Sequence, residues 1–112
     1  VMETPALFTG VRENFRFLLL EVKRQLEETL RMIREPSDER SRRVFERDDY
    51  IDNLRSVIEN KCFALLCDES IEKPKQTVDL LRAVTTSVSN LERIADFAAN
   101  IVGQQRYAPD RD

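Results

Sequence analysis

Within the helical repeats of this chain two pairs of carboxylates stand four residues apart: Glu92 with Asp96, and Asp48 with Asp52. The first pair lies in Asn90-Leu91-Glu92-Arg93-Ile94-Ala95-Asp96-Phe97-Ala98-Ala99-Asn100-Ile101, an otherwise apolar helical repeat. At that spacing both side chains project from one side of a helix, a turn apart, and like charges there repel by a few tenths of a kcal/mol. Near a core the repulsion grows unless a cation or a donor answers it. On a helical projection Asp48 falls in the arc of Val44, Ile51, Arg55, Ile58 and Cys62, Asp52 at its margin, and Glu59 continues the line. Asp96 projects in line with Val78, and Glu92 near Leu81 and Ala99. Both pairs therefore sit on the shoulder of a buried stripe.

Two readings of such shoulders stay open. The charges are solvated flanks paired with Arg55 or Arg93, or they are metal ligands. The chain has no histidine, which removes the usual zinc sites and the Glu-x-x-His form of di-iron bundle. An all-oxygen donor set suits a hard cation: Mg²⁺, Ca²⁺, Mn²⁺ or ferric iron. Without histidine, a nucleophile–base pair or a Gly-rich phosphate loop, the expectation is a protein that is not an enzyme.

Three long amphipathic segments must position these residues. The first spans 6–34, with an apolar stripe of Phe8, Val11, Phe15, Leu18, Val22, Leu26, Leu30 and Ile33 at intervals of three and four. Thr4-Pro5 is a start signal and Pro36 a stop. Ser37 or Asp38 caps the second segment, 38–67, whose stripe is Val44, Ile51, Leu54, Ile58, Cys62 and Leu65. After a polar break ending at Pro74, the third carries Val78, Leu81, Val84, Val88, Leu91, Ala95, Ala98 and Val102, and Gly103 is placed to terminate it. Short turns between segments of equal length predict an all-α fold, an antiparallel up-down-up three-helix bundle over 6–103, followed by a flexible tail at 104–112.

The 112 residues suffice for one small core. A net charge of −3 gives no electrostatic reason to expect nucleic acid. The longest apolar run, Phe17-Leu18-Leu19-Leu20, is far short of a membrane span. Cys62 and Cys67 are five residues apart on one helix, too far to bridge, and read as two buried thiols of a cytosolic domain. Arg31, Arg34, Arg40, Arg42, Arg43 and Arg47 gather near the first turn, interleaved with Glu35, Asp38, Glu39, Glu46 and Asp49, which predicts a self-neutralised face.

The segment Val44-Phe45-Glu46-Arg47-Asp48-Asp49-Tyr50-Ile51-Asp52, with Ile58-Glu59 two turns on, resembles the second helix of a PhoU-like repeat. Leu91-Glu92-Arg93-Ile94-Ala95-Asp96 resembles that family's Glu-Arg-Ile-Gly-Asp signature, continued by Ala98, Asn100 and Ile101. The resemblance runs in order from about Phe8 to Val102. It implies a helical regulator of phosphate uptake and signalling that docks on a phosphate transporter or a sensor kinase. It also implies Asp48, Asp52, Glu92 and Asp96 as ligands of a hard cation such as Mg²⁺, Mn²⁺ or iron, with Glu59 and Asn100 as weaker neighbours. Asp49, about 100° round the helix from Asp48, is solvated on this reading. Ala95 departs from the signature glycine and Phe97 from a frequent histidine. The family's regulators have two repeats and this sequence has one, which implies a fragment or a partner, either a second repeat or another copy in a homo-oligomer. The alternatives are a cytoplasmic domain attached to a sodium-phosphate symporter, a metal-sensing bundle, and a plain helical interaction domain.

Overall fold

The computed structural model describes the backbone of residues 6–107 and the side-chain surroundings of residues 8–104. Three helices account for most of it: α1 (Ala6–Arg34), α2 (Asp38–Cys67) and α3 (Lys75–Tyr107). Each packs on the other two, forming a rod about 17 Å across whose longest helix, of 33 residues, runs about 50 Å. Contacts on both sides of α2 show the antiparallel runs. Gln25 Nε2 of α1 donates to the Val44 carbonyl at 2.9 Å, and Gly103 of α3 lies under the Phe45 ring. The up-down-up bundle is therefore observed as the sequence predicts.

The break between α1 and α2 has an identifiable cause. Pro36 cannot continue a helix, and Ser37 takes an extended conformation from which its hydroxyl accepts the Arg40 amide hydrogen at 3.1 Å. Asp38 and Glu39 follow in the first turn of α2, where the helix dipole favours negative charge. At the other turn, Asp68 accepts from the Ser70 amide and hydroxyl, and the Lys73 ammonium donates to the carbonyls of Asp68 and Ile71.

The core holds Leu18, Ile51, Ile58, Leu65, Leu81 and Val88 at full burial, and each of the larger ones contributes roughly 1.5–3 kcal/mol. A second cluster of Met32, Val44, Ala99 and Val102, with Phe45 against it, closes the end near the first turn. The stripes expected on α2 and α3 face inward. The stripe expected on α1 does so only in its first half. Beyond Val22 the buried positions are Gln25, Thr29 and Met32, while Leu26, Leu30 and Ile33 are exposed. α1 carries apolar residues on two adjacent lines, and periodicity alone does not say which line meets the bundle. Gln25 is held inward by its bond to Val44, and Thr29 by donating to the Gln25 carbonyl.

Two further expectations are corrected. Gly103 does not end α3: no glycine among the described residues takes a positive φ, and the helix runs on to Tyr107. Packing of Val102 and Gly103 beside Phe45 supports this extra length. The expected tail thus begins at least four residues late, and residues 108–112, like Thr4-Pro5, lie outside the described residues. Cys67 is exposed and only Cys62 is buried, because five residues turn the helix about 140° from the inward line.

Candidate functional site: an acidic seam between the second and third helices

The carboxylates on α2 and α3 meet along one seam. Asp48 is half-buried there, and its carboxyl is raised to about 6. Burial is the main cause, followed by the negative charges of Asp96 and Glu92 across the seam, then of Asp49 and Asp52 on its own helix. Glu92 is raised above its ordinary value as well, chiefly by burial, with Asp96 and Asp52 adding to the shift while Arg55 and Arg93 oppose it. The structure therefore brings Asp48, Asp52, Glu92 and Asp96 within electrostatic reach of one another.

One edge of the seam carries a cation of the chain's own, Arg55. Arg55 Nη2 donates to Asp52 Oδ1 at 2.6 Å, Nε reaches the same oxygen at 3.2 Å, and Nη1 donates to Glu59 at 3.2 Å. Its guanidinium is held protonated first by the hydrogen bond to Asp52, with Glu59 and Glu92 also favouring the charge. Glu59 thus enters as a partner of Arg55. Asn100 is exposed, as are Asp49 and Asp96.

The donor chemistry of the seam, carboxylates alone, is that of a site for a hard cation. Among the described residues no three Asp, Glu or Cys side chains converge to hold a metal ion. Two open depressions lie elsewhere. One of about 350 Å³ is lined by Asp38, Glu39, Arg42, Phe45, Glu46 and Asp49, and one of about 250 Å³ by Glu21, Arg43, Glu46, Arg47 and Tyr50.

Of the arginines near the first turn, Arg40 pairs with Glu35 and Arg43 with Glu39, as expected, while Arg31 pairs within its own helix with Glu28. What sequence reasoning missed is Glu21, whose side chain is only 6% exposed and is held by Arg47 at 2.8 Å and Arg24 at 2.9 Å. Its position just before Val22, on the edge of the inward line, was the available signal.

No helix among the described residues is long and apolar enough to cross a membrane. Comparison with curated proteins and with solved structures found no match. The PhoU domain model matches residues 16–104, which takes in α2 whole, most of α1 and α3, and every carboxylate of the seam. The three-helix architecture and this match agree, and the chain belongs to the PhoU domain family.

Proposed function

We propose that this chain is a non-catalytic regulatory domain of phosphate transport or phosphate signalling, acting by docking on a transporter or a sensor kinase. The observation that carries the reading is the PhoU domain match across 16–104. Its chemistry is in keeping with a docking role: the chain has no histidine, and charged helix faces offer side chains to a partner rather than a pocket to a substrate. The setting proposed is the cytoplasmic face of a phosphate transport system. The test is restoration of control. On this reading, cells lacking their own PhoU-domain regulator should express phosphate-starvation genes even when phosphate is ample. Expression of this chain should repress them, and a chain that folds, accumulates and leaves that expression unchanged would sink the reading.

Metal binding by Asp48, Asp52, Glu92 and Asp96 is a separate proposal, with its own experiment. Binding to the folded state raises a melting midpoint by mass action. A chelator-stripped sample melted with Mn²⁺, Mg²⁺ or Fe³⁺ should shift upward, and the Asp52→Asn/Asp96→Asn double variant should not. Equal midpoints with and without millimolar metal would leave the seam as a charged docking surface.

A further inference from the structure

The carboxylates along the α2–α3 seam divide into two sets. The side chains of Asp48, Glu92 and Asp96 make no hydrogen bond or ion pair among the described residues, and only burial and charge act on the first two. Asp52 and Glu59 are both held by Arg55. The division follows from spacing. Residues 52, 55 and 59 stand three and four apart, so their side chains share one helix face and a guanidinium at 55 reaches both acids. Its grip on Asp52 is the closer one: Nη2 and Nε converge on a single oxygen, at 2.6 and 3.2 Å.

Asp52 is also the acid that links the two unpartnered sides. Its charge acts on Asp48 along its own helix and on Glu92 across the seam. A hard cation draws carboxylate oxygens toward one point. No three acids converge in that way among the described residues, and the linking oxygen points into the Arg55 fork instead.

We propose that Arg55 is a latch on this seam: while its guanidinium holds Asp52, the seam lacks the carboxylate that joins Asp48 to Glu92, and a hard cation is admitted only as Arg55 lets go. The inference rests on the metal reading given above and adds the regulation of that site. Two physical features suit Arg55 to this part. Its guanidinium stays protonated throughout the ordinary pH range, so the latch is opened by competing charge and not by loss of a proton. The pairs lie within one helix, with side chains 32% exposed at Arg55 and 51% at Asp52, and partly solvated pairs of this kind are weakly held. Like charge meanwhile keeps a second cation away from the guanidinium. Arg93 supplies the contrast. It too favours the charged form of Glu92, but it is exposed and makes no ion pair among the described residues. It has the charge without the grip.

Calorimetric titration of the chelator-stripped chain with Mn²⁺ at neutral pH tests the latch. Arg55→Gln should bind Mn²⁺ about 10-fold more tightly than wild type, or better, because both the clamp and the repulsion are gone. Arg55→Lys keeps the charge but not the fork and should fall between them. Arg93→Gln should stay within about threefold of wild type, and adding Asp52→Asn to Arg55→Gln should remove the gain. Without metal the sign reverses: Arg55→Gln should remain helical by circular dichroism but melt below wild type, since Asp52 and Glu59 lose their counter-ion. The outcomes separate latch from site. Equal Mn²⁺ affinity in wild type and Arg55→Gln would overturn the latch and leave the site standing. No binding by either at millimolar Mn²⁺ would overturn both. A gain from Arg93→Gln equal to that from Arg55→Gln, or one that survives Asp52→Asn, would be an effect of net charge alone and would also overturn the latch.

Discussion

Asp48 shows what the seam does to a single residue. Its folded-state carboxyl, at about 6, binds a proton more readily than in the unfolded chain, where the ordinary value near 3.8 applies. The sign follows by linkage: stability from this group is fully present below about pH 4 and is lost as pH rises through about 6. Glu92, also raised, contributes in the same direction. Asp48→Asn should therefore flatten the pH dependence of the melting midpoint between pH 4 and 6 and stabilise the fold at pH 7 by about 1 kcal/mol, once solvent screening is discounted. A midpoint at pH 7 that falls instead would show that the carboxylate makes a favourable contact. The buried polar residues of α1 divide differently. Arg47→Ala leaves Glu21 with Arg24 alone in a nearly dry position and should cost about 2 kcal/mol. Gln25→Leu removes an amide oxygen that has no hydrogen-bond partner but also the 2.9 Å bond to the Val44 carbonyl, so the two effects oppose and urea denaturation should find it within about 1 kcal/mol of neutral.

At the scale of the helix, two substitutions at helix positions have opposite signs. Ser37→Ala removes the cap of α2 and should lower stability by about 1 kcal/mol. Gly103→Ala should raise it by about 0.5–1 kcal/mol, because the residue is helical and a methyl group would meet Phe45 at 3.8 Å, an ordinary contact distance. Had Gly103 been the terminator that its place in the sequence implies, the same change would destabilise. Three elements and both turns were legible in the sequence because proline, serine and the spacing of Val44 to Leu65 act locally. Glycine was misleading at 103 because its freedom matters only where the chain turns, and Phe45, distant in sequence, decides that it does not. The inward face of α1 was half legible: Leu26 and Gln25 are neighbours, and a hydrogen bond to the Val44 carbonyl on another helix selects the polar one. The four seam carboxylates could be singled out by spacing. That Arg55 would choose Asp52 and Glu59 among the available acids depends on rotamers and distances that spacing does not carry.

As a whole molecule the rod leaves 7940 Å² of surface accessible, against roughly 6400 Å² for a compact chain of this mass. Thirteen large hydrophobic side chains among the described residues lie exposed on it, Phe97 and Leu80 the most. Charge is also distributed unevenly across the width of the rod. The acidic seam runs along the α2–α3 side, and Arg12, Arg16, Lys23 and Arg34 along the outer edge of α1. The separation makes the molecule a transverse electric dipole whose moment is not measured by its small net charge. A charged surface at a distance exerts a torque on such a rod, turning one long flank toward it before any side chain touches. Encounter with a partner would then begin already oriented, and its rate would fall with ionic strength even where the two net charges have the same sign.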